Sequence, residues 1–199
     1  MKLISLLKSG FLAALCSFGL NAATIDNAGV LSEPIKSKLN EMGAELKETT
    51  GVTLDLITFS NLNGESIDEA IKPFKSSLKP PYVILVLVPK KAGAKTGKVD
   101  IYTSNDANSL FDKEAVLSPY PESGSILPIL VSNKGKDIYN AAMLNGYADI
   151  ADRIANSKGV VLKSSIGNSN RDTINIFRYL IYGSIILVIV VFAIRKIKR

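Results

Sequence analysis

The chain contains no histidine, and this absence removes several catalytic designs. Serine–histidine and cysteine–histidine nucleophiles, histidine metal sites and phosphohistidine chemistry all need an imidazole. The single cysteine, Cys16, lies in an amino-terminal segment that we expect to be removed. The remaining chain would then have no thiol, no disulfide and no cysteine chemistry. Carboxylates and amides are left as the groups that could carry chemistry.

A phosphate-binding loop of the G-x-x-x-x-G-K-[ST] type is also missing. The stretch GAKTGK at 93–98 has a Gly–Lys pair, but its glycine spacing is wrong and no serine or threonine follows Lys98. We interpret this stretch as the solvated tip of a hairpin.

Residues 1–22 have the three-part plan of a secretory signal peptide. A start with two lysines is followed by the apolar run FLAALCSFGL at 11–20 and then by small residues. The apolar run is short for a membrane span. We therefore expect cleavage after Ala22 or Ala23, and the alternative is an uncleaved membrane anchor.

Residues 174–194 have the composition of a transmembrane helix. The stretch YLIYGSIILVIVVFAI at 179–194 is uncharged, and the basic tail RKIKR at 195–199 follows it. About 21 helical residues span roughly 30 Å, which matches the hydrocarbon thickness of a bilayer. A buried core helix would instead show a polar face. Because basic tails stay in the cytoplasm, we predict a single-pass protein of the bacterial inner membrane with a periplasmic main domain and a cytoplasmic C-terminus.

The net charge of +6 is explained by the two ends of the chain. The signal peptide contributes two positive charges and the tail four, so residues 23–194 have a formal charge of zero. The basic pI is thus a signal of membrane topology, and we expect no nucleic-acid partner.

Helical and strand patterns alternate between these ends. We predict helices at 33–50, 66–78, about 107–117 and 136–157, and strands at 52–59, 82–88 and 99–104. The order predicts an α/β fold, a three-layer sandwich with a mixed, partly parallel sheet flanked by helices, plus the C-terminal transmembrane helix. Residues 23–157 would form this periplasmic domain, and 158–173 a juxtamembrane linker.

The loop SNDANSLFDKE at 104–114 places acidic side chains at the end of a strand, where α/β folds often build sites. Asp106 and Asp112 are the candidate metal ligands, and calcium is the expected hard cation outside the cell. The structural alternative is that Asp106 or Asn108 caps the predicted 107–117 helix. If the fold brings further carboxylates to such a metal, they would be Asp26, Asp55 and Asp100.

The phrases DNAGVLSE, LKETTG, VTLDLITF and LNGESIDEAI, in this order, resemble the TPM domain family. Members of the family open with D-x-A-G-x-L-S and continue with a helix that ends in TG and a hydrophobic strand. The opening phrase is matched here by Asp26, Ala28, Gly29, Leu31 and Ser32. The family includes thylakoid lumen proteins that act in photosystem II repair and many bacterial membrane-anchored proteins. The resemblance covers 26–71 well and extends more loosely to about residue 155.

The resemblance implies where chemistry would lie. An acid phosphatase activity is attributed to some relatives, with metal or catalytic groups at a Gly-rich turn that corresponds here to YTSNDANSLFD. This chain departs from the family pattern at that turn. Asp106 and Asp112 are the only residues to which we assign a role from the family, as metal ligands.

The resemblance and the predicted anchor together favour a non-enzymatic, chaperone-like accessory protein. Its outer domain would bind a membrane protein complex, such as a transporter, a secretion system or an ion-driven motor, and support its assembly, stability or repair. The alternative is a metal-assisted acid phosphatase that uses the 104–114 loop. A second alternative is a passive envelope tether.

Overall fold

The computed structural model describes residues 24–90, 97–132 and 137–167, together with Tyr182, Ile186, Leu187, Ile189 and Val190. The predicted signal peptide and most of the predicted membrane span lie outside these residues. The strands are β1 (Thr24–Asp26), β2 (Thr53–Thr58), β3 (Tyr82–Val88) and β4 (Lys98–Thr103). The helices are α1 (Glu33–Thr50), α2 (Ile67–Ala70), α3 (Lys72–Ser77), α4 (Lys113–Val116), α5 (Leu127–Ser132) and α6 (Ile138–Ser157), with a 3-10 turn at Asn105–Ala107.

The four strands form one mixed sheet in the order β1-β2-β3-β4. β1, β2 and β3 are parallel, with Asp26 beside Thr58 and Thr58 beside Leu87, whereas β4 runs antiparallel to β3. The predicted α/β class and the mixed, partly parallel sheet flanked by helices are therefore confirmed.

The buried face, the first turn and the end of helix α1 follow from its sequence. Leu39, Met42 and Leu46 recur at helical spacing and are fully buried. Pro34 occupies the first turn, where a missing N–H costs nothing. Gly51 ends the helix at φ 76°, a left-handed conformation that glycine adopts without strain, and its N–H bonds to the Lys47 carbonyl at 2.9 Å.

The two faces of the sheet have separate cores, because β2 and β3 are buried on both sides. Leu54, Leu56 and the alternate residues of β3 join the larger core under α1 and α6. Ile57, Ile84 and Val86 join a smaller core that is completed by Ile71 and covered by α2 and α3. Alternation along each strand assigns successive side chains to opposite cores.

The two connections between parallel strands have opposite hands. The β1–α1–β2 and β2–α2–α3–β3 connections advance across the sheet in the same direction. Their helices nevertheless pack on opposite faces. One of the two connections therefore departs from the strong preference for right-handed crossovers.

Three local predictions differ from the structure. β1 is absent from the predicted strands, but its three residues pair with β2. The predicted 107–117 helix is wrong, since a 3-10 turn and the four-residue α4 replace it. Asn108 and Ser109 lie between them, and short polar side chains of this kind favour turns over helix interiors. Helix α5 lies between the predicted 107–117 and 136–157 helices, where we predicted no element.

The chain after α6 stays attached to the domain. The Glu45 carboxylate on α1 accepts the N–H groups of Lys163 and Ser164, each at 2.8 Å, and also the Ser164 hydroxyl. These bonds lower the pKa of Glu45, the Ser164 hydroxyl being the largest cause. Ser165 donates to Asp152 at 2.7 Å, and Leu162 is buried. The contacts of the domain thus continue past Ser157, into the first part of the predicted linker.

Within the described ranges, no helix combines the length and the apolar character needed to cross a membrane.

Candidate functional site

The sheet has two ends that could carry a site. The carboxyl edge is where the parallel strands finish, at Asp26, Thr58 and Val88. The amino edge is where β2 and β3 begin, and it also receives the end of β4 at Thr103 because β4 is antiparallel. In open α/β sheets, ligands bind most often beyond the carboxyl ends of the strands.

Asp26 fixes the turn between β1 and α1 at the carboxyl edge. Its carboxylate accepts the N–H of Val30 at 3.3 Å, the N–H of Leu31 at 2.9 Å and the Thr58 hydroxyl at 2.5 Å. The Thr58 oxygen in turn accepts the N–H of Ala28 at 3.0 Å. The carboxylate therefore ties the turn to the end of β2, and both of its oxygens are engaged.

The environment of Asp26 favours its ionised form. Burial by itself would raise the pKa of this carboxyl, but the hydrogen bonds from Thr58, Leu31 and Val30, together with the charge of Lys36, outweigh burial. The pKa of Asp26 is therefore held below its ordinary value of 3.8.

The predicted ligands Asp106 and Asp112 lie at the amino edge, away from Asp26. They follow β4, and the carboxyl end of an antiparallel strand meets the opposite edge of the sheet from the carboxyl ends of its parallel neighbours. Asp112 caps α4, since its Oδ1 accepts the N–H of Ala115 at 3.0 Å. A capping aspartate was the expected alternative to a metal site, but Asp112 fills that role rather than Asp106 or Asn108. Asp106 is exposed in the 3-10 turn.

The other carboxylates considered as ligands are also apart from one another. Asp55 is buried in the middle of β2, in register with Ile84. Asp100 lies on β4, in register with Val86. Among the described residues, no group of three acidic side chains forms an arrangement that could hold a metal ion. Asp106 and Asp112 as calcium ligands stay a prediction.

A cluster of charged side chains surrounds Tyr102 on the outer strand β4. Lys75 lies over the Tyr102 ring at 4.5 Å from its centroid and pairs with Asp68 at 3.0 Å. Lys113 lies over the same ring at 5.5 Å and pairs with Asp100 at 2.8 Å. Burial, followed by the nearby carboxylates of Asp100 and Asp68, raises the pKa of Tyr102 to about 12. These five residues, the Tyr102 cluster, connect α2, α3, β4 and α4.

Asp100 also covers a backbone donor on the free edge of β4. The Ser104 N–H bonds to the Tyr82 carbonyl at 3.0 Å. Because successive N–H groups of a strand point in alternate directions, the N–H of Ile101, three residues earlier, points away from β3. Asp100 Oδ1 accepts that outward N–H at 2.7 Å. A charged side chain that occupies an edge donor hinders pairing with another strand.

The Tyr102 cluster was missed at the sequence level. The alternating charges of KVDIYT mark an edge strand, which could have indicated Asp100. Lys75 and Asp68 lie on a different connection, and only the packing of α2 and α3 on the sheet brings them to Tyr102.

Four uncharged hydrogen-bonding side chains are exposed at the carboxyl edge, beside the exposed Lys90 and Lys98. Asn27 is exposed in the Asp26 turn, and Ser60, Asn61 and Asn63 are exposed in the turn after β2. Asn61 and Asn63 are held together by a 2.7 Å side-chain bond. We call these four residues the carboxyl-edge surface.

Comparisons with known proteins report a shared fold. No family model matches the chain, and no curated protein matches it. Among solved structures, the N-terminal domain of a protein from P. gingivalis, determined by NMR, is similar at 15% identity with a TM-score of 0.54. The match covers 69% of this chain and 84% of that one. At this identity the likeness shows the fold alone.

Replacing Asp26 by Asn should destabilise the domain, because the amide places a donor where Leu31 N–H or the Thr58 hydroxyl needs an acceptor. We expect a loss of about 2–3 kcal/mol in the free energy of unfolding at neutral pH. The folded pKa is lowered, so the stabilisation is complete above 3.8 and is lost as the pH falls below 3.8 toward the folded value. Denaturant unfolding across this range should show the two proteins converging at low pH, and Thr58→Ser serves as the control that keeps the hydroxyl. A constant difference would contradict this role.

Two substitutions at Asp112 separate a helix cap from a metal ligand. Asp112→Ala should lower the free energy of unfolding by about 1 kcal/mol, whereas Asp112→Asn should change it by only a few tenths, because Asn caps as well as Asp. In thermal unfolding experiments, calcium should change the melting temperatures of the wild type and the two variants by the same amount. A calcium-dependent rise of the melting temperature in the wild type alone would show that the carboxylate binds metal.

Removing the Asp100 carboxylate should expose the edge of β4. We expect the full chain carrying Asp100→Ala to associate with increasing concentration in detergent solution, as measured by sedimentation velocity, because the Ile101 N–H becomes free to pair. Asp68→Ala is the matched control, since it removes a carboxylate from the same cluster without touching the edge. Equal association of both variants would assign the effect to net charge.

Proposed function

We propose that this chain is a membrane-anchored accessory protein of the bacterial envelope. Its periplasmic domain binds an exposed part of a membrane protein complex and supports the assembly, stability or repair of that complex. The resemblance to the TPM family over 26–71 and the layout of signal peptide, domain and C-terminal span support this proposal. The described positions within the predicted span are helical, apolar or aromatic, and 48–64% exposed.

The observation that carries the proposal is the use of the carboxylates. Asp26 ties a turn, Asp112 caps a helix and Asp100 pairs with Lys113 beside the edge of the sheet. Each carboxylate has a structural contact with the backbone or a side chain nearby, so these residues act as parts of a rigid scaffold. A scaffold of this kind suits recognition through its surface.

The carboxyl-edge surface is the face that we assign to the partner. The Glu45 contacts place the chain that leads to the predicted anchor beside the last part of α1, which ends where β2 begins. The carboxyl-edge surface lies at the other end of α1, and 18 helical residues separate these ends by about 27 Å. The exposed amides there would point away from the membrane, toward the outer part of a complex.

Deletion of the gene should lower the level of one particular membrane complex, measured by quantitative proteomics of membranes. The wild type and Asn105→Arg should restore that complex, because Asn105 is an exposed amide at the amino edge. Asn27→Arg should fail to restore it. Cross-linking in intact cells, followed by purification through the C-terminal tail, should recover the same complex with the first two proteins only.

Three results would contradict the proposal. If no complex is depleted, the accessory role is wrong. If residues 157–199 joined to an unrelated domain restore the complex, the chain is a passive tether. If the purified protein hydrolyses a generic phosphate ester and the Asp106→Asn, Asp112→Asn double variant does not, the phosphatase alternative replaces it.

A further inference from the structure

Residues 158–167, which we call the strap, form a fixed surface at the amino edge of the domain. The strap is held from one side by Glu45 and Asp152, and by the buried side chain of Leu162. A defined arrangement is therefore imposed on the exposed side chains of this segment, which are Lys158, Val161, Lys163 and Ile166.

The outward side of the strap combines apolar and basic groups. Val161 is 83% exposed and Ile166 is 40% exposed. Lys158 and Lys163 are exposed on the same short segment. Apolar side chains flanked by lysines match the interfacial layer of an anionic bilayer, where hydrocarbon and phosphate lie within a few ångströms of each other.

We propose that the strap is a lipid-binding surface that docks the domain on an anionic membrane. Val161 and Ile166 enter the headgroup layer, and Lys158 and Lys163 bind lipid phosphates. This inference rests on the proposed membrane anchor and adds which face of the domain meets the bilayer.

The length of the following chain supports the assignment. Six residues, 168–173, separate Gly167 from Ile174, where the predicted span begins. The seven residue-to-residue steps between them reach at most about 25 Å when fully extended, so the strap stays close to the bilayer. Two apolar side chains bury far less area than the roughly 1,000 Å² of a stable protein interface. Beside a membrane to which the chain is already tethered, a weak contact suffices, because the effective concentration is high.

A single tryptophan can report this contact, since the chain has none of its own. The test uses the full chain carrying Val161→Trp, reconstituted in vesicles of phosphatidylcholine with phosphatidylglycerol. We expect a blue-shifted emission, quenching by brominated lipid and weak quenching by acrylamide. Val131→Trp is the matched control, because Val131 is 70% exposed on α5, ahead of the start of α6, and should stay in water.

The contribution of the two lysines to lipid binding is tested in the full chain carrying Val161→Trp. Lys158→Gln with Lys163→Gln should weaken the contact, by about fivefold for each lysine, and remove its dependence on phosphatidylglycerol. Glu45→Ala should release the strap, so that Val161→Trp is quenched more strongly by acrylamide in detergent. Circular dichroism confirms that each variant remains folded.

The outcomes distinguish this inference from the anchor. If sodium carbonate releases the full chain from membranes, the anchor and the proposed function fail. If the chain is retained but Val161→Trp and Val131→Trp are quenched alike by acrylamide, the strap does not bind lipid and only this inference is overturned. An emission shift that is the same without phosphatidylglycerol would overturn the role of the lysines.

Discussion

Burial of β2 and β3 on both faces is the constraint on which the rest of the structure depends. A strand pair that is buried on both faces must be covered from two sides, so helices have to pack above and below it. The long helices α1 and α6 cover one face, and the short α2 and α3 cover the other. Tyr147 of α6, fully buried, also donates its hydroxyl to the Leu54 carbonyl at 2.8 Å. Burial raises the pKa of Tyr147, so its hydroxyl remains a donor.

Covering the faces leaves the two edges and the outer strands for polar groups. Three of the acidic residues that suggested chemistry, Asp26, Asp100 and Asp112, lie at these places and make structural contacts. Asp26 holds the first turn at the carboxyl edge, and Asp112 begins a helix at the amino edge. Asp100 forms an ion pair with Lys113 and accepts the outward-facing N–H of Ile101 on the edge strand. The same side-chain type thus serves three different structural purposes.

The two ends of the domain differ in what they offer to other molecules. The amino edge holds the strap, with lysines and exposed apolar side chains that suit a lipid surface. The carboxyl edge holds exposed amides on turns fixed by hydrogen bonds, which suit a protein partner. Ser32, just before α1, donates its N–H to Asn140 near the start of α6, and Glu45 in the later part of α1 binds the chain after α6. The two helices therefore run in the same direction, and their ends place the strap and the amides about one helix length apart.

The long elements were predictable from the sequence, because their burial pattern is local. The all-apolar run at 82–88 defines β3 to the residue, and Pro34 and Gly51 mark the first turn and the end of α1. Short elements were not predictable, since β1 is stabilised by pairing with β2 and α4 by its cap rather than by their own patterns. The sequence by itself determined the class of fold and the candidate carboxylates, because burial patterns and residue types are local properties of the chain. Only the tertiary structure decided that β4 is antiparallel, which moves Asp106 and Asp112 to the opposite edge from Asp26, because strand direction depends on contacts between residues far apart in the chain.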